Sequence, residues 1–348
     1  MVQGLKIGTI LQNGTYRIVK VLGQGSFGIT YLAKAKLRTQ GNLGSMNVEA
    51  QVAIKEFFMS EVNSRRSDGS SVEGSSGSVF ANYRKKFKKE AENLSKLSLS
   101  NIVKVVDVFD ENNTTYYVME FIEGKNLDDY IKQKGSLPEP EAISIIKEVG
   151  NALEYMHSRK MLHLDIKPKN IMRKPDGTIY LIDFGLSKQF TDNGEPESST
   201  SIGLGTPGYA PIEQSSYKQD GTFPATLDVY ALGATMFKML TGKRPPEATI
   251  ILNEGFPSVE LSNKGISDNT ISTIKAAMIS TKKERYQTIK AFVENLNKDD
   301  IEDVTIIEQP AQNTESIHST NPSPKPNSKS KWIWSAVLFL VLIVASIL

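Results

Sequence analysis

The chain contains no cysteine at all and carries a formal net charge of only +2. Without cysteine it can form no disulfide bond and no thiolate metal site, which suits a reducing compartment. A dedicated nucleic-acid-binding protein would normally concentrate basic residues on one surface, so the small charge argues against a nucleic acid as partner. What remains is ordinary for a folded protein. The 348 residues, 39% of them apolar and 23% charged, are enough for two lobes or domains with their own cores.

A long apolar run is also missing from the N-terminus, which has neither the apolar core nor the small-residue cleavage site of a signal peptide. The other end differs, since residues 332–348 carry no charge and follow a lysine-containing segment. This run is at the short end of what spans a bilayer, and its tryptophans suit the membrane interface. We expect a transmembrane helix at 332–348 behind a polar, Pro-rich linker at 299–331, with the preceding protein in the cytoplasm. A buried core helix is the alternative, but such a helix rarely follows a linker of this kind.

The rest of the sequence changes from strand-like to helical patterning near residue 123. Apolar, β-prone runs predict a sheet of about five strands. These runs lie at 16–22, 29–35, 51–58, 101–109 and 114–122. Apolar residues at helical spacing predict helices at 85–98, 126–135, 138–160, 227–242, 269–279 and 287–297. A strand-rich front and a helix-rich back indicate a two-lobed α+β architecture.

Residues 59–82 form a stretch rich in Ser and Gly with little apolar periodicity. Such a composition predicts a mobile insertion between the third strand and the first helix. A docking or autophosphorylated segment is the alternative, since Arg65 and Arg66 lie among its serines.

A glycine-rich turn, GQGSFG, joins the first two strands. Turns of this kind let backbone N–H groups approach phosphates without an intervening side chain. The spacing also occurs in dinucleotide-binding folds, but there a helix should follow, whereas residues 29–35 are β-prone. An ordinary hairpin turn stays open as the alternative. If the turn binds phosphates, the residues that contact the nucleotide are Leu22, Gly23, Gln24, Gly25, Ser26, Phe27 and Gly28.

Lys55 ends the sequence VAIK inside an otherwise apolar strand. A lysine is rarely buried without a partner, so this one should reach a ligand phosphate or a carboxylate. The helix at 85–98 offers Glu90 and Glu92, and Glu90 is favoured because Leu94 should pack inward one turn away. The alternative is a lysine on an edge strand that points to water.

Four polar residues fall within the stretch HLDIKPKNIMRKPDGTIYLIDFG, around two short apolar runs. The Asp165 carboxylate can accept a proton from an attacking hydroxyl, and the Lys167 ammonium can neutralise a transferring phosphoryl group. Asn170 and Asp183 supply hard oxygen ligands of the kind that Mg²⁺ prefers. The spacing therefore indicates a site for phosphoryl transfer.

With H-x-D-x-x-x-x-N followed by D-F-G, the chain resembles the protein kinases found in bacteria and in eukaryotes. The resemblance covers residues 16–298 and implies a two-lobed protein-kinase-like fold, with an N-lobe over 16–122 and a C-lobe over 123–298. It implies ATP and Mg²⁺ as cofactors and protein hydroxyls as substrates. Around the adenine ring it implies a gatekeeper, a hinge and covering side chains. These are Met119 as gatekeeper, Glu120 to Ile122 as the hinge, and Ala53, Met172 and Thr30 as the covering residues.

The resemblance also narrows the acceptor, because D-x-K-x-x-N with Lys167 is the form found in Ser/Thr kinases. Thr206 looks like the threonine that hydrogen-bonds near the catalytic carboxylate in that class. Asp228 resembles the buried aspartate that braces the catalytic loop, and Arg285 the arginine that pairs with Glu213.

One expected residue is missing, since Leu164 stands where most such enzymes carry arginine. That arginine commonly binds a phosphorylated residue of the activation segment, and a leucine cannot make this contact. We therefore expect activity to depend little on phosphorylation there. The candidate phosphosites in that segment are Ser198, Ser199, Thr200 and Ser201.

Two competing functions belong to other classes of protein. A pseudokinase would bind nucleotide as a signalling scaffold, but such proteins usually lack a catalytic Lys, Asp or Mg²⁺-binding Asp, and all are present here. A purely structural membrane-tethered module would not need this polar set at all.

Overall fold

The computed structural model describes residues 4–297 except 26–27, 42–43, 60–62, 68, 70, 75–77, 185–186, 192–194, 197–204 and 219. Its N-terminal part is built on a six-stranded antiparallel sheet with the order β1-β2-β3-β4-β8-β7. Those strands are β1 Ile10–Leu11, β2 Tyr16–Gly25, β3 Gly28–Gly41, β4 Gly44–Phe57, β7 Val105–Glu111 and β8 Thr114–Glu120. The five predicted runs are all strands, and only the two-residue β1, too short to show a period, is additional.

The hairpin of β3 and β4 is longer than predicted. Its pairing continues from Ala35 and Ala50 out to Gly41 and Gly44. Sequence alone did not show this extension, because residues 36–50 are mostly polar and carry no alternating apolar pattern.

The described part of the Ser/Gly-rich insertion has regular structure, contrary to the prediction of a mobile loop. Two short strands, β5 Asn63–Arg65 and β6 Val72–Gly74, pair as an antiparallel hairpin. The helix α1 Ser78–Leu94 then begins inside the segment that was expected to be irregular. Composition misled here because the hairpin is held by a few specific contacts, of Arg65 and Val72, rather than by a periodic apolar face.

The C-terminal part is mainly helical, and its described residues also form two small sheets, β10-β13 and β12-β11-β9. Its helices are α2 Leu127–Lys134, α3 Glu139–His157, α4 Ile212–Ser215, α5 Thr226–Thr241, α6 Ala248–Glu254, α7 Ser258–Ser262, α8 Asp268–Ala277 and α9 Ile289–Asn295. Its strands are β9 Lys125–Asn126, β10 Met161–Leu162, β11 Ile171–Arg173, β12 Ile179–Leu181 and β13 Lys188–Gln189. The catalytic stretch predicted at residues 163–185 contains β11 and β12 and lies between β10 and β13. The predicted helices all exist, whereas α4, α6 and α7 were missed because each is seven residues or shorter.

Helix α5 is the centre of the helical part, and its residues are buried on nearly all sides. Such all-round burial explains why its sequence is apolar throughout instead of amphipathic. Elsewhere side chains fix the helix starts: Asn126 accepts from the backbone N–H of Asp129, and Ser267 and Thr288 cap α8 and α9 in the same way.

Within the described ranges, we find no helix with the length and apolar character that crossing a bilayer requires. The predicted transmembrane helix at 332–348 and the linker at 299–331 lie outside those ranges.

Candidate active site

A cavity of about 470 Å³ opens between the sheet and the helical part. Its lining includes Leu22, Gly23, Thr30, Ala53, Lys55, Met119, Glu120, Ile122, Asn170, Met172 and Asp183, all predicted from sequence. A larger cavity of about 670 Å³ lies beside α4 and the start of α5, but none of the predicted site residues lines it.

Some residues of the cavity were not predicted, and some predicted residues do not line it. The additional lining includes Val103, Ile182, Lys20, Lys125, Asp129 and Lys169. Val103 and Ile182 belong to apolar runs, so their pattern signalled strands or core rather than a ligand site. The predicted site residues absent from the lining are Gln24, Gly25, Gly28, Glu90, Asp165 and Lys167, whereas Ser26 and Phe27 lie outside the described residues.

The glycine-rich turn closes the β2–β3 hairpin, with Gly25 opposite Gly28 in the register. Gly28 runs so close to β4 that an added Cβ would lie 2.3 Å from the backbone oxygen of Glu56. Only glycine fits at such an approach, so Gly28 is required by strand packing whatever the turn binds.

Lys55 is buried, and its ammonium pairs with the Asp183 carboxylate across the cavity. Burial alone would raise the pKa of Asp183, but the charge and hydrogen bond of Lys55 outweigh it and the pKa is lowered. The same ion pair raises the pKa of Lys55 although burial acts in the opposite direction. Both groups are therefore charged at neutral pH.

The predicted ion pair between Lys55 and Glu90 is not formed in this structure, although both side chains are described. Burial raises the pKa of Glu90 to about 7, and the nearby charge that opposes this most is Lys188, ahead of Lys55. Burial likewise lowers the pKa of Lys188 to about 8, and Glu90 counteracts the shift. Lys55 faces Asp183 instead, and a choice between two carboxylates cannot be read from spacing.

Asp165 is the centre of a hydrogen-bonded group on the catalytic stretch. The Lys167 ammonium donates to its Oδ2 at 2.6 Å, and the Thr206 hydroxyl donates to its Oδ1 at 2.6 Å. Lys167 Nζ also lies 2.7 Å from the Thr206 hydroxyl, so the three side chains form a closed triangle. Thr206 arrives from a distant part of the chain at the position that the resemblance implied.

Asn170 holds the loop from inside. Its amide nitrogen donates to the backbone oxygen of Asp165 at 2.8 Å and to Oδ2 at 3.0 Å. This turns the amide oxygen away from Asp165, and both Asn170 and Asp183 line the cavity.

Asp228 braces the loop from below, as predicted. Its fully buried carboxylate accepts the backbone N–H groups of His163 at 2.9 Å and of Leu164 at 2.8 Å. A ring nitrogen of His157 lies 2.9 Å from the same carboxylate. Burial would raise the pKa of Asp228, but its partners, His157 first, lower it. The backbone of Leu164 has a φ of 64°, a left-handed conformation that these hydrogen bonds stabilise.

The Leu164 side chain is buried in a small apolar cluster apart from the main core. Its neighbours are Leu162, Phe190, Leu227, Tyr217 and Phe223. The backbone oxygen of Leu164 accepts from the Gln214 amide at 2.9 Å.

The predicted pair of Arg285 and Glu213 is present, with 2.7 Å between Nη1 and Oε1. Arg285 is buried and also donates to the backbone oxygens of Thr226 and Ile279. Arg285 thereby connects Glu213, in α4, to the start of α5.

The donor set fits Mg²⁺ better than a metal that needs a full protein cage. Among the described residues, no group of three or more His, Asp or Glu side chains could hold a metal by itself. Mg²⁺ is commonly bound by one or two protein oxygens together with substrate phosphates, which is what Asn170 and Asp183 offer.

Comparison with known proteins agrees with this geometry. The profile of the family described as "Protein kinase domain" matches residues 16–309. A probable serine/threonine-protein kinase of Clostridium perfringens is 32% identical over 84% of this chain and 39% of its own length. Serine/threonine-protein kinase PknA of Nostoc sp. is 30% identical over 82% of this chain and 47% of its own length. Serine/threonine-protein kinase PrkC of Bacillus subtilis is 28% identical, with coverages of 79% and 39%.

The chain thus spans less than half the length of these curated relatives. Their names and the family match support the predicted class of ATP-dependent serine/threonine kinases. A curled sheet followed by a helical part, with the cavity between them, is the architecture that the resemblance implied. Because the family profile covers most of the sequence, the chain belongs to the protein kinase domain family.

Proposed function

We propose that the chain transfers the γ-phosphate of ATP to serine and threonine hydroxyls of proteins. The observation that carries this proposal is the triangle of Asp165, Lys167 and Thr206 next to a cavity that holds the Lys55–Asp183 pair. A proton acceptor and two ammonium groups are thereby placed where a triphosphate and an acceptor hydroxyl can meet.

Asp165 is the base that orients the acceptor hydroxyl and takes its proton as the new oxygen–phosphorus bond forms and ADP leaves. Lys167 contacts the γ-phosphate and Lys55 the phosphates nearer the ribose. Asn170 and Asp183 would hold Mg²⁺, which would supply charge neutralisation on the phosphate oxygens. Catalysis then rests on positioning and on charge, both of which the buried brace at Asp228 supports.

The nucleotide base enters between the lobes. Ala53 and Thr30 cover the adenine from the sheet side and Met172 from the other, while Met119 stands as gatekeeper. Glu120 and Ile122 belong to the hinge, and their strand β8 ends at Glu120, where the chain leaves the sheet. The glycine-rich turn at 23–28 closes over the phosphates.

The serine/threonine preference rests on Lys167 and Thr206, whose hydrogen bond to one another leaves both beside the carboxylate of Asp165.

The test is phosphoryl transfer from radiolabelled ATP by the full chain, with Asp165→Asn and Lys55→Met as the disabled variants. We expect the wild type to label serine and threonine in casein or in itself, and both variants to lose this. Equal labelling by all three proteins would instead favour a nucleotide-binding scaffold with a contaminating kinase.

We further propose that activity depends little on phosphorylation of the activation segment. The basis is Leu164, whose side chain is buried among apolar neighbours and offers no charge to a phosphate. The four candidate phosphosites at 198–201 lie outside the described residues. Replacing all four by alanine should leave the turnover number nearly unchanged, and a drastic loss with an intact fold would contradict the proposal.

We also propose that the kinase is anchored in a membrane by residues 332–348, with the catalytic part on the cytoplasmic side. The support is the uncharged run with flanking tryptophans and lysines. Removing 332–348 should move the protein to the soluble fraction, whereas an equally long deletion within 299–331 should not. Continued membrane association of the first variant would contradict the anchor.

A further inference from the structure

The insertion hairpin of β5 and β6 is tied to the strand that carries Lys55 by a buried ion pair. Arg65 Nη2 lies 2.6 Å from Glu56 Oε2, and the two side chains are only 5% and 0% exposed. Glu56 directly follows Lys55, so the two side chains point to opposite faces of β4. The hairpin therefore holds β4 from the face opposite the nucleotide cavity.

Glu56 accepts more than one hydrogen bond on that face. The Tyr31 hydroxyl donates to Oε2 at 2.5 Å, and the Tyr116 hydroxyl donates to Oε1 at 2.9 Å. These neighbours are neutral, and they connect β3, β4 and β8. Arg65 is the cation that compensates the buried charge, and it comes from the insertion.

The other strand of the hairpin is also held. The backbone N–H of Val72 donates to the oxygen of Asn112 at 2.9 Å, and the Asn113 amide donates to the oxygen of Val72 at 2.9 Å. Val72 itself is buried. The hairpin is thus attached to the turn between β7 and β8 as well as to β4.

The end of the hairpin packs against α1, the next described element of the chain. A Cβ added at Gly74 would lie 2.6 Å from the ring of Phe80, so the last residue of β6 touches the first turn of the helix. The ring of Phe57 on β4 contacts the rings of Phe80 and Phe87, with centroids 5.7 Å and 5.5 Å apart. The start of α1 therefore contacts the end of the hairpin, and its rings pack on Phe57, on the face of β4 that carries Lys55.

From these contacts we infer that Arg65 is a positioning residue for phosphoryl transfer. Its pair with Glu56 fixes the hairpin, and the hairpin fixes the N-terminal end of α1. Helix α1 carries Glu90, which lies near both Lys188 and Lys55. The position of α1 therefore determines with which of these two lysines Glu90 can pair. This inference rests on the proposed function, because the consequence of misplacing α1 is a loss of transfer.

The experiment compares the full chain with Arg65→Met and with the matched control Arg66→Met. Arg66 pairs with Glu73 at 2.8 Å, but both side chains are more than half exposed, and such surface pairs contribute little. We expect Arg65→Met to lower kcat by about tenfold to a hundredfold, as for a displaced reacting geometry. Arg66→Met should match the wild type, and Arg65→Lys should recover most of the loss.

A charge-compensated double variant separates positioning from simple stability. Arg65→Met alone leaves Glu56 buried and unpaired, which destabilises the fold and could prevent folding. In the double variant Glu56→Gln/Arg65→Met the buried charge is gone, so the thermal midpoint should return toward the wild type. The ion pair between residues 56 and 65 is still missing, so the hairpin is no longer tied to β4. Therefore kcat should stay low, and the amides of α1 should exchange with deuterium faster than in Arg66→Met.

The inference is overturned if kcat recovers together with the thermal midpoint in the double variant, or if α1 exchanges at the wild-type rate there. Equal effects of Arg65→Met and Arg66→Met would overturn it too. The exchange measurement does not depend on activity. If the wild type transfers no phosphate, the proposed function fails. Deuterium exchange at α1 then still tests whether the Arg65–Glu56 ion pair positions this helix.

Discussion

The two sides of the cavity are held in different ways. The loop with Asp165 is fixed by local hydrogen bonds and by one buried carboxylate, Asp228, which accepts two of its backbone N–H groups. On the other side, α1 is positioned by ring contacts and by a hairpin inserted into the chain, and its Glu90 has no ion pair with Lys55. The first side has its reacting groups assembled. On the second side, the ion pair that the sequence predicted between α1 and Lys55 is not formed.

The largest expected effect on the loop side follows from removing the proposed base. Asp165→Asn keeps the shape but cannot take up a proton, so kcat should fall by about 10²- to 10⁴-fold. Asp176→Asn is the matched control, because Asp176 caps an exposed turn and accepts from the backbone of Thr178. Steady-state transfer from ATP measures both. Retained activity in Asp165→Asn would show that the loop is assembled for a purpose other than proton transfer.

The brace is tested next by Asp228→Ala. The substitution leaves two buried backbone N–H groups without an acceptor, each costing about 1–3 kcal/mol. We expect the free energy of unfolding to fall by about 2–6 kcal/mol, together with a loss of kcat. Asp220→Ala removes a surface pair with Lys282 and should change little. Chemical denaturation measures the free energy of unfolding of both variants. Equal values for Asp228→Ala and Asp220→Ala would show that the loop does not depend on the Asp228 carboxylate.

Leu164→Ala should have a smaller effect. Deleting a buried leucine costs about 2–5 kcal/mol, and the low end is expected here because Tyr217 and Phe223 are only partly buried and can shift. Leu164→Met, which conserves volume, should cost less than about 1.5 kcal/mol. The exposed Leu252 provides the control, Leu252→Ala. Equal stability of the alanine and methionine variants would mean that the apolar cluster does not support the loop.

The smallest effect lies on the α1 side and depends on pH. Glu90 has an ordinary pKa of 4.5 and a folded pKa of about 7. A carboxyl whose pKa is raised on folding takes up protons when the protein folds. Its contribution to stability is therefore fully present below pH 4.5 and is lost as the pH rises towards 7.

Glu90→Gln removes this dependence. Relative to that variant, the wild type should lose unfolding free energy between pH 4.5 and 7, and Glu92→Gln should not reproduce the change. Thermal melts across this range measure the difference. If the stabilities of the wild type and Glu90→Gln changed with pH in the same way, the Glu90 side chain would be exposed to solvent. Helix α1 would then be less closely packed at this position than the structure shows.

The contrast between the two sides also explains what could be predicted from sequence. The loop residues Asp165, Lys167 and Asn170 lie within six positions, so spacing alone places them together, and the resemblance supplied Thr206 and Asp228. The strands and longer helices follow from apolar periodicity. The partner of Glu90 and the hairpin at Arg65 depend on which distant charges meet after folding. No local pattern encodes such a choice, and a Ser/Gly-rich composition conceals it.

Glu56 has a consequence for how this kinase domain could be modified or could have diverged. Its backbone oxygen lies against Gly28 of the glycine-rich turn, while its side chain holds Arg65 of the insertion. A single residue thus contacts both the glycine-rich turn and the Ser/Gly-rich insertion. The insertion therefore cannot be exchanged independently of β4. Transplanting it, or replacing it with a shorter linker, requires a matching change at position 56, and recombination that separates the two would leave a carboxylate buried without its cation.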